Sequence, residues 1–409
     1  MKTAIVLSGG GGKGAYQIGV WKALRKLGIN YDIVTGTSVG ALNGVLMVQQ
    51  DYHEALALWS NIDYSFIFNQ NFSNINKNIY VNYIKEFIKD GGMDITNLEN
   101  ALNKIFDSKR FYSSPIDFGI VVYNLSKFKE ELLIKKDLQP ETIKDYIIAS
   151  ATCYPAFKIK KINSNKYIDG GYYDNLPINL AISLGADRII AVDLKAPGIR
   201  RKTKNSNKEI INICPNNDIG SFLQFDKFIS RRNIRYGYND TLKVFHKLEG
   251  HKFSFNKQIY KFFIKRIANK FYKNLDLYLN SSQSFGEQIK MIIPKLILNK
   301  SSKDKEKQLL DTLEFLGYIF KLDDYKIYFL NNYNYIIKKR FKKMIKVDER
   351  LIKDKIYKKD FSSLLGSKYI VKYIYQILKD KEKYLELYSL IPIFKKEFLA
   401  AIYLITIGC

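Results

Sequence analysis

Histidine is nearly missing from this 409-residue chain, with only His53, His246 and His251 against 66 lysines and arginines. Cysteine is as scarce: Cys153, Cys214 and Cys409 are an odd number at no close spacing. That pattern excludes a disulfide framework and a metal knuckle and predicts a reducing compartment. No apolar run approaches the roughly 18 residues of a membrane span. The nearest candidate, residues 398–408, covers about half a bilayer and reads as a core helix. The first apolar stretch ends at Ser8, too short for a signal-peptide core. These deficits together predict a cytoplasmic protein.

Acidic residues are also outnumbered, giving a net charge of +26, and the excess is uneven: +4 over residues 1–200 and +22 over residues 201–409. A basic surface rich in Tyr and Phe suits an anionic membrane face or nucleic acid. Peripheral membrane contact is the expectation drawn from it, and no nucleic acid is expected. A coding bias toward Lys, Asn, Ile and Tyr gives the same counts and stays open. With 46% apolar residues the chain can bury a large core.

Residues 2–8 read as a buried strand, and Ala15, Ile18, Trp21, Leu24 and Leu27 recur at helical spacing until Gly28. Residues 31–35 predict a second strand, followed by a turn at 36–40 and a helix. Residues 116–126 and 127–136 read as a strand pair, and a helix follows Pro140. Residues 158–171 alternate into Asp169-Gly170-Gly171; a helix over 175–185 and a strand over 186–194 follow. Strands alternating with helices predict a mainly parallel, three-layer α/β/α sheet. A long amphipathic helix closes this first domain near residue 247. Residues 248–409 show only Lys-rich apolar periodicities and predict a second, mostly helical domain.

Between the first strand and helix stand four consecutive glycines, Gly9 to Gly12, then Lys13 and Gly14. Glycine loses more backbone entropy on folding than other residues, so the run needs a compensating use. Gly9, Gly11 and Gly14 satisfy G-x-G-x-x-G, which leaves a dinucleotide-binding turn open, with Asp32 as the ribose ligand. A phosphate-binding P-loop fails, because no hydroxyl residue follows Lys13. A third reading points the loop's amides at an oxyanion, which requires a nucleophile nearby.

Gly36-Thr37-Ser38-Val39-Gly40 supplies one. It is a G-x-S-x-G between a predicted strand and helix, where flanking glycines permit the sharp turn that lifts a hydroxyl out of a sheet. A serine needs a base. His53 lies in a helical segment and reads as a surface residue, whereas His246 and His251 fall at the domain junction; a Ser-His-Asp arrangement stays open. Asp169, in a turn of small neighbours, is the other candidate. Its weak basicity makes fixed geometry and partial desolvation the requirement.

In order and spacing, S-G-G-G-G-K-G at 8–14, G-T-S-V-G-A-L-N-G at 36–44 and D-G-G at 169–171 resemble the patatin-like phospholipases. The resemblance extends to A-S-A-T-C-Y-P-A-F at 149–157, the helix after Asp169 and G-Y-N-D-T-L at 237–242, and covers roughly residues 1–247. It implies a lipid acyl hydrolase with Ser38 as nucleophile and Asp169 activating it directly. The implied oxyanion loop is Gly9, Gly10, Gly11 and Gly12, with Lys13 as its basic neighbour. Gly14, Gly36, Gly40, Gly170 and Gly171 complete the three motifs. No metal or organic cofactor is implied. The substrate implied is a phospholipid or lysophospholipid. A non-lipid carboxylesterase or thioesterase, and a catalytically silent membrane- or nucleic-acid-binding protein, are the alternatives.

Overall fold

Every residue of Thr3–Leu7 (β1) is buried, as befits a strand covered on both faces. It sits inside a computed structural model that describes residues 1–64, 92–204, 207–280, 302–380 and 391–409. The chain divides into two compact units, Met1–Phe245 and His246–Cys409.

In the first unit, a 3-10 turn at Gly11–Gly14 leads from β1 into α1 (Ala15–Lys26). β2 (Ile33–Gly36), α2 (Val39–Gln49) and α3 (Tyr52–Asn61) follow, and then α4 (Thr96–Ile105) and α5 (Ser108–Ser113). β3 (Asp117–Asn124) and β4 (Lys129–Ile134) precede α6 (Ile143–Ser150). β5 (Lys160–Ile162), β6 (Asn165–Asp169), α7 (Ile178–Ser183), β7 (Arg188–Val192), β8 (Glu209–Ile213) and α8 (Lys227–Val244) complete it.

The sheet runs β5-β6-β3-β2-β1-β7-β8, with β4 paired to β3. The five strands from β3 to β8 along that order are parallel, whereas β4, β5 and β6 join antiparallel. Ala4 and Val6 of β1 pack with Leu176 and Ala181, and the strand's alternation turns Ile5 and Leu7 to the other face. Helices on both faces give the three-layer α/β/α arrangement. The stretch at 158–171, expected as one alternating strand, is instead the hairpin β5–β6; Asn163 turns it at φ 51°, a conformation that asparagine adopts more readily than most residues.

α1 and α8 cross where each has a glycine: a Cβ on Gly19 would lie 1.9 Å from the Ile234 carbonyl, and one on Gly237 would lie 2.0 Å from that of Tyr16. The Tyr16 hydroxyl donates to buried Asp240 across the same contact. β1 and β2 pair in parallel, Leu7 beside Gly36, so their carboxyl ends open at one place.

The second unit has a small sheet of β9 (Leu248–Glu249), β10 (Ser254–Asn256) and β11 (Ile327–Tyr328). Its described helices are α9 (Lys257–Asn280), α10 (Ser302–Ile319), α11 (Leu330–Lys342), α12 (Glu349–Tyr357), α13 (Lys368–Lys379) and α14 (Lys395–Thr406). They enclose an aromatic-rich core that includes Phe271, Tyr333, Phe341 and Phe394. The apolar stretch near residue 400 is α14, buried from Glu397 to Leu404, a core helix as expected. No described helix is long and apolar enough to cross a membrane.

Candidate active site

Ser38 caps α2 at φ 57° and ψ −127°, a conformation that side chains rarely adopt. The flanking glycines make the bend possible by close approach: a Cβ on Gly40 would stand 2.3 Å from the Leu7 carbonyl. One on Gly36 would stand 2.3 Å from that of Gly40. Ser38 retains only 8% exposure, and its amide donates to the Ser150 hydroxyl at 3.0 Å. Ser150 lies in the A-S-A-T-C-Y-P-A-F stretch, but its place under the turn is visible only in the fold.

Asp169 ends β6 and is 5% exposed. Its carboxylate accepts a hydrogen bond at 2.7 Å from the Gly171 amide, and the Ser38 side chain is near enough to act on it electrostatically. Burial pushes the carboxyl up to about 6, and the nearby Ser38 side chain and the Gly171 amide oppose that rise. Fold thus brings together Ser38 and Asp169, 131 positions apart. Gly170 packs against the Val121 carbonyl, and Gly171 keeps the space beside Asp169 small.

The glycine loop leaves β1 next to Ser38, but its four amides are not equivalent. Gly9 donates to the Asn175 carbonyl at 3.1 Å and Gly12 to the Phe222 carbonyl at 2.7 Å. Among the described residues, the amides of Gly10 and Gly11 meet no acceptor. Two of the four amides thus brace the loop against neighbouring segments. Gly11 has φ +51°, and a Cβ there would lie 2.2 Å from the Phe222 carbonyl. Gly14 fits against Val39 and Trp59. Desolvation lowers the pKa of Lys13, while Asp218 and Asp193 act in the opposite direction.

From Ser38 a cleft runs along α2, holding about 660 Å³ of space, part of it open to solvent. Val39, Leu42 and Leu46 form one wall; Leu58, Trp59 and Ile62 a second; Leu98, Ala101, Leu102 and Ile105 a third. Phe157, Phe225 and Ala151 complete the lining, and Asn43 is its one amide side chain. Such a cleft takes an apolar chain.

The first unit's histidine does not join this group. His53 is exposed on α3, against the Tyr52 ring. His246 and His251 belong to the second unit. Asp32, the candidate ribose ligand, instead accepts from the Thr3 amide at the start of β1, the opposite end of the strand from the glycine loop. The dinucleotide reading loses its acid. No cluster of three or more His, Cys, Asp or Glu among the described residues is disposed to hold a metal.

A mainly parallel sheet flanked by helices, with a bent serine, a buried aspartate and a glycine loop at strand ends, defines an α/β protein. The family model for patatin-like phospholipases matches residues 5–182. The match lies wholly within the first unit. Over 211 residues, 50% of this chain and 14% of the relative, it is 25% identical to patatin-like phospholipase domain-containing protein 7 of Rattus norvegicus. It is 26% identical over 203 residues to patatin-like phospholipase domain-containing protein 6 of Homo sapiens, covering 47% of this chain and 13% of that one. Lysophospholipase nte1 of Aspergillus terreus is 28% identical over 195 residues, 46% of this chain and 12% of the relative. The chain thus spans about a seventh or less of the curated relatives it matches. Among solved structures, VipD of Legionella pneumophila is similar at 16% identity and a TM-score of 0.40, covering 100% of this chain and 90% of that one.

Proposed function

We propose that the protein is a lipid acyl hydrolase that cleaves carboxylic esters of phospholipids or lysophospholipids. The observation that carries this reading is the bent Ser38 at one end of an apolar cleft, with the buried Asp169 carboxyl close enough to respond to its side chain and two loop amides with no described acceptor. Ser38 Oγ attacks the ester carbonyl as its proton passes to Asp169. The oxyanion settles against the Gly10 and Gly11 amides, where each donor is typically worth about 2.7–4 kcal/mol of barrier. Collapse releases the alcohol, which takes the proton back from Asp169. Asp169 then draws a proton from water, and the resulting attack frees the fatty acid from Ser38. Partial desolvation makes Asp169 a better base than an exposed carboxylate.

The cleft lining favours a fatty acyl chain over a polar acid. The names of relatives, phospholipase and lysophospholipase, agree with a lipid substrate. The charge of the second half suits peripheral contact with an anionic bilayer from the cytoplasmic side. Binding that is equal on neutral and anionic vesicles and indifferent to salt would remove this membrane part of the reading.

The deciding experiment measures fatty acid and lysolipid release from mixed phospholipid vesicles by mass, for wild type and Ser38→Ala. Release by wild type alone supports the proposal, and the lysolipid identifies the acyl position. Cleavage of a soluble short-chain ester without release from vesicles supports a non-lipid esterase instead. Silence on both overturns the catalytic reading.

A further inference from the structure

Glycine loops are intrinsically loose, yet an oxyanion site works only when its donors are held in place before the charge forms. Something other than the glycines must therefore fix the amides of Gly10 and Gly11 relative to Ser38. Asn43 lies on α2, five residues beyond Ser38, and is 1% exposed. Its Nδ2 donates to the Gly14 carbonyl at 3.1 Å and to Gln17 Oε1 at 2.8 Å. Its Oδ1 accepts from Trp59 Nε1 at 2.8 Å. Gln17, also 1% exposed, donates from Nε2 to the Ser8 carbonyl at 2.8 Å.

The orientation of these amides is determined by chemistry. An indole N–H can only donate, so Oδ1 of Asn43 faces Trp59 and both Nδ2 protons face acceptors. Gln17 then presents its oxygen to Asn43 and its nitrogen to Ser8. Ser8 and Gly14 are the two ends of the glycine loop, and the helix holding Asn43 is the helix that Ser38 caps. The same network reaches Trp59, a wall of the cleft.

We infer that Asn43 and Gln17 are positioning residues, a buried bracket that clamps both ends of the oxyanion loop to the helix carrying the nucleophile. The inference rests on the acyl-hydrolase reading. Removing either amide leaves the fold's apolar packing in place but frees the loop, so oxyanion stabilisation is lost while ground-state binding in the cleft remains.

The test uses the full chain with Asn43→Ala and Gln17→Met, and two ligands that share one acyl chain. A trifluoromethyl ketone adds Ser38 Oγ to its carbonyl carbon, sends the serine proton to Asp169 and leaves an oxyanion for the loop. The matching secondary alcohol fills the cleft without adding. In both variants, affinity for the ketone falls about 10- to 100-fold and kcat falls in parallel; in Gln17→Met, whose side chain is outside the cleft, affinity for the alcohol and KM change less than about 3-fold. Equal loss for both ligands, or no loss for either, overturns the inference. Gln17 does not line the cleft, so Gln17→Met decides the matter if Asn43→Ala fails to fold. A wild type that hydrolyses no ester and does not bind the ketone more tightly than the alcohol sinks the underlying reading instead.

Discussion

The amide of Ser38 donates to the Ser150 hydroxyl at 3.0 Å, and that hydroxyl donates in turn to the Val121 carbonyl at 2.7 Å. A strained turn on α2 is thereby tied, through one buried side chain of α6, to the middle of β3. Ser150→Ala strands the Ser38 amide and the Val121 carbonyl without these partners, at a cost of about 1–3 kcal/mol. The first unit's urea midpoint should fall, and ester turnover should fall with it. An unchanged midpoint would show that the turn holds itself.

Asp169 accepts the serine proton only as a carboxylate. With its carboxyl at about 6 in the folded protein, kcat/KM should drop tenfold per pH unit below about 6 and level off above it. A profile flat down to pH 4.5 would contradict the burial of that group.

The same burial has a signed effect on stability. The folded carboxyl sits above its unfolded value near 3.9, so its contribution is fully present below about pH 4 and is lost as pH rises through about 6. Asp174 is raised to about 6 by its own burial and acts in the same direction. Asp169→Asn should therefore melt higher than wild type at pH 8, by something on the order of 2 kcal/mol after the lost hydrogen bond is deducted, and the difference should vanish toward pH 4. Inactivity together with raised stability separates a functional carboxylate from a structural one.

Gly11→Ala places a methyl 2.2 Å from the Phe222 carbonyl at a left-handed φ. The amide it carries has to move, and turnover should drop by about 100-fold or more. Gly28→Ala has a similar φ but open space around it, and should cost only about 1 kcal/mol of stability with activity intact. Esterase rates and melting curves of the pair distinguish lost geometry from lost folding.

Ala101 lines the cleft from α4, and Ala101→Phe should shorten it. Each methylene that no longer fits is worth about 1–3 kcal/mol of discrimination. Rates over a series of acyl esters from four to sixteen carbons should show the optimum moving to shorter chains, with the four-carbon ester unaffected.

Much of this was legible in residues alone. Ser38 lies where G-x-S-x-G places it, and the parallel core follows from its alternating strands and helices. The readable features were local: a turn, a period, a run of four glycines. What the sequence hid was pairing between distant segments. Asn163 reverses a stretch that reads as one strand, and Gly9 and Gly12 look identical to Gly10 and Gly11 until Asn175 and Phe222 claim their amides. Gln17 carries no signal, and Asn43, though inside the G-T-S-V-G-A-L-N-G stretch, does not show its partners there; an amide on a helix reads as solvent-facing until the fold closes around it.

β1 lies between β2 and β7, yet β7 begins at Arg188, beyond the last residue of the family match. A fragment cut at 182 would turn the strand that carries the glycine loop into an unpaired edge and strip α8 from the back of α1. The family match and the compact folding unit have different borders in this chain. A fragment meant to fold alone would need to run to about residue 245, some sixty residues past the last residue of that match.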